Sequence, residues 1–505
     1  ARMQFIGHVV GRSYQAKILL FVIYFFAHAW IFLLLDTVFW DDWVIYGNTS
    51  SAIFDTFAQA GAILNWTAYL HIALLSLGVW VYKLLTFFLM FFTGLLYQEI
   101  AVRTGAFSKT YVYISTLLFL ILPLFSSRLA LIVFPYTLCY FLFFLGWWLM
   151  GKNKFMSITL FFLSFNINSM LVFYALPMLD LAYRNQVLMS PTKWPGFIRD
   201  NFLFLFLPFV FFAVKTQFEP YGSYAGYNQQ FSLLGISEAA GLQYADLFTL
   251  RFNPFGFVAV LAASLAFHLL YRRFTVRGIH DLDLDKFSAW GFLIGVFALL
   301  CALFPYWILG HVPTFYEWTS RHQLLMPLGV SLVLTSLIFC LGSSVRMFLT
   351  STLVAISITF WIENYIDFLR DSNKQEEIVH VFSNNQLLKA SNVAVFEDRT
   401  ADLNAIGREY RFYEWHGFMN AAFGDQSRFA LSPGQLPDYQ TGVLDTRFLD
   451  INMAGSHIRK DSPKVVLVVL TLDERNSTFL HPKLRLEVVP LDIGKDKSAD
   501  RTRNI

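Results

Sequence analysis

Charged residues and cysteines are both scarce in this chain of 505 residues. Only 14% of the residues are charged and 56% are hydrophobic, which excludes an ordinary soluble domain of this length. The formal net charge of +3 is too small to indicate binding to nucleic acid. Cys139, Cys301 and Cys340 all fall inside apolar runs, so we interpret them as buried thiols that provide no disulfide framework. The composition therefore predicts a polytopic membrane protein.

Motifs for nucleotide-driven chemistry are also missing from the sequence. The chain contains no P-loop, no GxGxxG ahead of a helix, no Cys or His cluster at metal-ligand spacing, and no Ser/His/Asp arrangement with a local signature. The absence of these motifs makes nucleotide-driven chemistry an unexpected function. For a transfer reaction, it favours a group donor that is already activated on a lipid.

Eleven apolar stretches are long enough to cross about 30 Å of hydrocarbon. Two of them are short, and they fit either one long helix or a pair of half-spans that meet at Asn166 and Asn168. The predicted spans are 18–35, 76–98, 110–126, 129–150, 155–168, 169–183, 201–218, 254–271, 288–304, 324–342 and 347–364.

Lysine and arginine are concentrated in alternate connections between these stretches. The positive-inside rule assigns such connections to the cytoplasm. We therefore predict a multi-pass protein of the plasma (inner) membrane, with a cytoplasmic N-terminus and a periplasmic or extracellular C-terminal domain. The basic residues behind this orientation are Arg2, Arg12, Lys17, Arg103, Lys109, Lys152, Lys154, Arg184, Lys193, Arg199, Arg272, Arg273, Arg277, Lys286 and Arg346.

The density of charged residues rises after residue 364. Of the 73 charged residues, 38 lie after this point, which predicts a soluble domain over 365–505. Runs of β-branched residues predict strands at 392–396, 464–470 and 484–489, with helical segments around 401–418. The expected fold is thus a polytopic α-helical membrane domain, 1–364, with a first outer loop at 36–75, followed by a small extracytoplasmic α/β domain.

Two adjacent carboxylates, Asp41 and Asp42, directly follow the first predicted span. Carboxylates so close to hydrocarbon are costly to desolvate, so they indicate a functional site. We consider them as a general base or a metal ligand, with Trp40, Trp43 and Tyr46 providing the wall of a substrate pocket. The alternative is an acidic pair that ends the helix and faces water.

The segment 41–47, Asp-Asp-Trp-Val-Ile-Tyr-Gly, resembles a motif of the C-type (GT-C) membrane glycosyltransferases, which include bacterial aminoarabinose and mannosyl transferases. Their first outer loop opens with Asp-Glu-x-x-Tyr/Phe-Gly. Here Asp42 stands in the Glu position, and one extra residue precedes the Tyr. The predicted layout of about eleven helices and an outer α/β domain is also similar. The resemblance implies a polyprenyl-phosphate-linked sugar donor and makes Asp41 the base that deprotonates an acceptor hydroxyl for inverting attack.

The second predicted outer loop, 124–129, departs from that family. Many members carry a further carboxylate there, whereas Arg128 is the only charge in this chain's loop. A bound divalent metal is therefore in doubt, and no metal ligand is assigned. A guanidinium at this position suits the phosphate of a donor, because it offers a bidentate fork without an intervening cation.

A late outer loop contains His311, Glu317, Arg321 and His322, just before the tenth predicted span. Ser320 to His322 are expected to begin a helix, where backbone amides, a guanidinium and an imidazole can bind a lipid phosphate. His311 and Glu317 are assigned to the substrate pocket. The alternative is interfacial anchoring, with Arg321 extending toward the headgroups.

Lys83, in the outer half of the second span, is a further candidate for binding phosphate. The alternative is that it extends along apolar surface so that its ammonium group reaches the interface.

The leading hypothesis is a membrane glycosyltransferase that moves a lipid-linked sugar to a glycan, lipid or protein acceptor. A secondary transporter would require ionisable groups in mid-membrane and paired broken helices, and the confident spans contain almost no charge. A polysaccharide polymerase or ligase would depend on outer-loop residues such as Arg321 and His322 more than on a carboxylate. Nucleic acid is not an expected partner.

Overall fold

The computed structural model describes residues 2–226, 258, 262, 263, 265, 266, 289–314, 318–424, 428–441 and 464–491. These residues are mostly helical and divide into two compact units. The first, the membrane unit, takes the described residues of Ala1–Leu35, Trp80–Glu219 and Gly226–Tyr365. The second, the sheet unit, takes those of Asp36–Val79, Pro220–Ala225 and Ile366–Ile505. The first predicted loop therefore belongs to the same compact unit as the C-terminal residues.

Among the described residues, five helical segments are long and apolar enough to cross a membrane. A sixth candidate is a pair of helices, Pro191–Asp200 and Phe202–Lys215, which meet at an angle of 60°. The five segments are Gln15–Leu34, Trp80–Thr104, Leu131–Leu149, Ala289–Trp307 and Ser343–Ser383.

Three other predicted spans form shorter apolar helices, Lys109–Ile121, Lys154–Ser164 and Met326–Phe339. Each has fewer residues than the roughly 20 that a straight span needs. The segment predicted at 169–183 forms two helices, Ser169–Phe173 and Ala175–Arg184, and is not continuous with the helix before it. The span predicted at 254–271 lies almost entirely outside the described residues.

One sequence interpretation of the membrane unit needs correction. Cys139 and Cys301 are buried as predicted, but Cys340 is exposed. It directly follows the helix Met326–Phe339, at the turn before Ser343–Ser383, so its apolar neighbours in sequence do not enclose it.

The sheet unit contains a four-stranded mixed sheet in the order β2-β1-β3-β4. Its strands are β1 (Val393–Asp398), β2 (Phe429–Leu431), β3 (Val465–Leu472) and β4 (Leu484–Leu491). β1 pairs in parallel with β2 and β3, and β4 is antiparallel to β3. A small apolar core forms where β1, β2 and β3 meet; it consists of Val393, Val395, Phe429, Leu431 and Val465.

Helices complete the sheet unit. The longest wholly within it are Ser50–Gln59, Trp66–Leu77 and Phe412–Phe423, with shorter ones at Gln386–Lys389 and Leu436–Thr441. A single turn of 3₁₀-helix, Trp40–Val44, contains the acidic pair. This turn packs against the helix Phe412–Phe423, so the two parts of the unit that are most distant in sequence meet at the predicted site.

Candidate functional site

Asp42 is buried and fixes the shape of the turn Trp40–Val44. Its Oδ2 accepts the backbone N–H of Phe39 at 2.9 Å, and its carbonyl oxygen accepts those of Ile45 and Tyr46. Because the side chain satisfies an amide at the start of the turn, its position is that of a capping residue. The two adjacent carboxylates therefore lie in different environments, and only Asp41 reaches outward from the turn.

The tryptophans of the turn are packed inside the sheet unit. Trp40 is buried, has a φ of 57°, and its ring meets that of Phe368 at 5.3 Å. A bulky residue in the left-handed region is strained, so the surrounding packing must hold it there. Trp43 is also buried, whereas Tyr46 is 40% exposed. Of the three aromatic residues assigned to a pocket, Tyr46 is the one with an exposed ring.

Trp43 lies directly on the backbone of Gly417. A Cβ atom at position 417 would approach Trp43 Cε3 to 2.2 Å, so a side chain there would collide with the indole. Trp43 also contacts Phe418, with ring centroids 5.1 Å apart. This close approach fixes the turn Trp40–Val44 against the helix Phe412–Phe423.

The carboxylate of Asp41 is held through one of its two oxygens. Tyr413 donates its hydroxyl hydrogen to Asp41 Oδ1, and Arg408 Nη2 lies 3.8 Å from the same oxygen. Neither contact uses Oδ2, and the side chain is 30% exposed. Asp41 is therefore oriented through Oδ1 by the C-terminal part of the unit, and neither of these two described contacts occupies Oδ2.

Arg408 links Asp41 to a second carboxylate, Glu414. Arg408 Nη1 lies 2.7 Å from Glu414 Oε2, and Arg408 Nη2 donates to the hydroxyl of Tyr413 at 2.9 Å. Glu414 is buried, and its Oε2 also accepts the backbone N–H of Arg411 at 2.8 Å. Its Oε1 is buried and makes no hydrogen bond to the residues that the structure describes.

Burial and charge set the protonation of this network. Burial raises the pKa of Glu414 to about 7, against the opposing effect of Arg408. Burial disfavours the charge on Arg408, but Glu414, Tyr413 and Asp41 outweigh it and raise the pKa of the guanidinium. Burial, followed by Asp41 and Glu414, raises the pKa of Tyr413, so its hydroxyl stays a donor at neutral pH.

The sequence analysis did not identify Arg408, Tyr413 or Glu414. The local signal was a Glu three residues after Arg411, at the start of the helix Phe412–Phe423, which is the spacing of a capping box. That spacing predicts the hydrogen bond from Arg411 to Glu414. It does not predict the contact with Asp41, which is 372 residues away from Tyr413 in sequence.

In the membrane unit, Arg128 is buried on the 3₁₀ turn Ser126–Leu129. Its Nε and Nη2 donate to the carbonyl oxygens of Phe125 and Leu124, and the guanidinium lies 4.0 Å from the ring of Trp361. Among the described residues, its Nη1 has no hydrogen-bond partner and no carboxylate forms an ion pair with the guanidinium. A buried guanidinium with an unused donor is a suitable ligand for an anion.

Lys83 points into the same region. It is buried near the start of the helix Trp80–Thr104 and donates to the carbonyl oxygen of Leu129. The buried position of the Lys83 ammonium group differs from the alternative sequence interpretation, in which that group reaches the membrane interface. Two cations therefore contact one short segment, Leu124–Leu129.

The residues assigned to the late outer loop lie on a second 3₁₀ turn, Trp318–Gln323. The helix expected to begin at Ser320 begins instead at Met326, after this turn. The turn bonds directly to the Arg128 segment, because Ser127 N–H donates to Ser320 Oγ at 3.1 Å and Phe125 N–H donates to Gln323 Oε1 at 3.0 Å.

Arg321 and His322 differ in their surroundings on that turn. Arg321 donates to the carbonyl oxygen of Trp318 and lies 4.6 Å from its ring, whereas His322 is buried and stacks on Tyr306 at 4.4 Å. His311 is 5.3 Å from His322, ring to ring. Burial, and then Arg321, lowers the pKa of both histidines, which keeps their rings neutral at pH 7.

Four buried polar atoms on the two turns have no hydrogen-bond partner among the described residues. They are Ser127 Oγ, Arg128 Nη1, His322 Nδ1 and Gln323 Nε2. Buried polar groups are nearly always satisfied, so a cluster of unpaired ones indicates a place for a ligand or for water. The structure thus brings together the segments of Arg128, Lys83, Arg321 and His322, all four residues assigned to phosphate binding.

Glu317 lies outside the described residues. Within the described ranges, no group of three His, Cys, Asp or Glu residues is arranged to hold a metal ion.

Comparison of this chain with protein-family models, with curated protein sequences and with solved structures gave no match.

Proposed function

We propose that this chain is a membrane glycosyltransferase of the GT-C type, with up to eleven spans, that uses a polyprenyl-phosphate-linked sugar. Asp41 is its general base. One observation carries this proposal: the Asp41 carboxylate is fixed through Oδ1 by Tyr413 and Arg408, while Oδ2 takes no part in those contacts on a partly exposed side chain. A base must be oriented and still be able to reach a proton.

The proposed reaction transfers the sugar with inversion. Asp41 Oδ2 takes the proton of an acceptor hydroxyl as the acceptor oxygen forms a bond to the anomeric carbon. The bond between that carbon and the donor's phosphate oxygen breaks, and its electron pair leaves with the polyprenyl phosphate. The reaction needs no bound nucleotide, because the phosphate ester is the activated leaving group.

The two packed turns of the membrane unit are a proposed binding site for the phosphate of a lipid. Arg128 is buried without a carboxylate partner among the described residues, an arrangement that is costly unless an anion offsets the charge. Lys83 adds a second cation on the same segment, and His322 Nδ1 and Gln323 Nε2 lie on the neighbouring turn. Phosphate has enough acceptor oxygens to use several of these donors at once.

The test is transfer by purified protein in liposomes that contain a radiolabelled polyprenyl-phosphate sugar and a lipid-linked acceptor. Asp41→Asn is expected to lower the transfer rate roughly 100-fold, the usual scale for losing a general base, and to keep donor binding. Asp55→Asn is the matched control, because Asp55 is an exposed carboxylate in the same loop segment. Equal rates in these two variants would remove Asp41 from the mechanism.

A polysaccharide polymerase or ligase is the second candidate, and the observation that favours it is the cluster on the two turns. That cluster needs no carboxylate and is built from an arginine, a lysine and a histidine. If Asp41→Asn keeps full activity while Arg128→Gln abolishes it, the second candidate replaces the first.

A further inference from the structure

A separate cavity opens inside the membrane unit, far along one helix from the Arg128 segment. Residues Tyr97, Ile100, Ala101 and Thr104 line it from the last turns of Trp80–Thr104. Lys83 is near the start of the same helix, so Ala101 lies about 27 Å further along its axis. The cavity is thus a different site from the one proposed for the donor phosphate.

The wall of this cavity is apolar and rich in aromatic rings. Phe107, Trp147, Tyr183 and Trp290 line it, and the space between them is partly open to the surroundings. Asp180 is the one carboxylate among the lining residues, and it is already engaged. It accepts the indole N–H of Trp147 at 2.8 Å and the Nε–H of Arg184 at 3.2 Å. The wall suits a hydrocarbon chain.

Two guanidinium groups lie beside the cavity, next to the turn at Gly151. A Cβ atom at Gly151 would be 3.4 Å from Arg184 Nη1 and 3.9 Å from Arg103 Nη1, so both groups approach the same point. Arg103 is anchored on the carbonyl oxygens of Trp147 and Trp148, and its Nε is buried without a described partner. Asp180 pairs with Arg184, and no carboxylate of the described residues pairs with Arg103, which leaves an excess of positive charge beside the cavity.

We propose that this cavity holds an acyl chain of an anionic glycerophospholipid, whose phosphate is bound between Arg103 and Arg184. An apolar, aromatic wall beside a pair of arginines matches the two ends of such a lipid. The positions of Arg103, Lys152 and Arg184 assign this end of the helices to the cytoplasmic face, where anionic lipids are enriched and basic pockets between spans bind their headgroups.

The bound lipid has a structural role in this proposal. The lining residues come from five helices, which include Trp80–Thr104, Ala175–Arg184, Ala289–Trp307 and Met326–Phe339. An acyl chain between them replaces an open space with packed apolar contacts, and the phosphate offsets the repulsion between the two arginines. The lipid therefore stabilises the membrane unit whether or not the protein transfers sugars.

Native mass spectrometry of the purified full-length protein in detergent tests the proposal. Phosphatidylglycerol and phosphatidylcholine with the same acyl chains are titrated in parallel, and the wild type is expected to retain phosphatidylglycerol at least tenfold more tightly. Arg103→Gln is expected to reduce that affinity by roughly tenfold, the scale of one charge-assisted contact. Arg199→Gln is the matched control, since Arg199 is exposed and pairs with Asp200 away from the cavity.

Two further measurements test whether the acyl chain occupies the cavity. Ala101→Phe fills the cavity and is expected to abolish retention of both lipids, with its fold checked by size-exclusion chromatography. Glycerol phosphate, a headgroup without chains, is expected not to displace bound phosphatidylglycerol from the wild type, and this needs no variant. Equal retention of the two lipids, equal effects of Arg103→Gln and Arg199→Gln, or displacement by glycerol phosphate would each overturn the proposal.

Discussion

At the residue scale, the candidate site depends on a hydroxyl group that the sequence motif does not include. Tyr413 donates to Asp41 Oδ1 and accepts from Arg408, so it is the link between the base and the only arginine that approaches it among the described residues. Without this link, Asp41 would keep only the longer contact with Arg408. In the proposed mechanism, Tyr413 therefore positions the base, Asp41, and does not itself react.

Removal of that hydroxyl gives the first prediction. Tyr413→Phe is expected to lower kcat about tenfold, the scale of one lost hydrogen bond of about 1.4 kcal/mol, and to leave KM for the donor unchanged. The comparison is Tyr69→Phe, because Tyr69 is an exposed tyrosine of the first loop. The role as a positioning residue fails if Tyr413→Phe raises KM for the donor and keeps kcat.

The second prediction concerns the pH dependence of stability through Glu414. Its pKa is raised to about 7 in the folded chain, above the ordinary value of 4.5, so the folded state binds more protons between those values. The contribution of Glu414 to the free energy of unfolding therefore has its full value below about pH 4.5 and is lost as the pH rises through about 7. The charged and titratable groups around Glu414 among the described residues are Arg408, Tyr410, Tyr413, Asp41 and Arg411.

A neutral isostere at this position is expected to flatten the pH dependence. Thermal unfolding of Glu414→Gln between pH 5 and pH 8 should show a smaller fall in stability with rising pH than the wild type shows. Glu409→Gln is the control, because Glu409 is exposed on the same segment. A wild-type profile in Glu414→Gln would mean that another group titrates in this range.

At the scale of elements, the strands were more predictable than the site. β1, β3 and β4 fall where strands were predicted from runs of β-branched residues, because such residues pack well against neighbouring strands. β2 has three residues and was missed, since a run that short carries no periodic signal. The contacts of Asp41 were missed for a different reason: they join segments that only the tertiary fold brings together.

Spans were harder to define than strands, because hydropathy alone cannot tell a continuous helix from a broken one. Residues 155–183 contain three helices, where the pattern fits either one long helix or two half-spans. By contrast, the helix Ser343–Ser383 is longer than predicted, because it continues 19 residues past the end of the apolar stretch at 364. Its polar second part includes Lys374, which is buried and pairs with Asp398, a contact that sequence periodicity does not reveal.

The contact between two elements of the site gives the third prediction. Gly417→Ala is expected to destabilise the sheet unit by about 1 to 3 kcal/mol, because the new Cβ would overlap the indole of Trp43. Trp43→Leu in the same chain should recover part of that loss by removing the ring. The control is Gly434→Ala, since a Cβ there meets no atom within 4 Å. Equal unfolding temperatures for the two alanine variants would contradict the observed packing.

At the scale of the whole molecule, the proposed chemistry depends on which side of the membrane each segment occupies. From the positive-inside rule we predict that Lys152 lies inside and that the sheet unit, with Asp41, lies outside. A lipid-linked donor that has crossed the bilayer is available only on the outer side. The orientation is therefore a condition of the proposed function and can be tested independently of activity.

The last prediction tests that orientation with single cysteines in a Cys340→Ser background, which removes the exposed native thiol. Glu487→Cys, on the exposed side of β4, is expected to react with a membrane-impermeant maleimide in right-side-out vesicles. Lys152→Cys, also exposed, should react only in inverted vesicles or after the membrane is permeabilised. The opposite labelling pattern would place Asp41 in the cytoplasm. Since a nucleotide-independent transfer from a translocated lipid donor could not then occur at Asp41, the proposed function would fall together with the orientation.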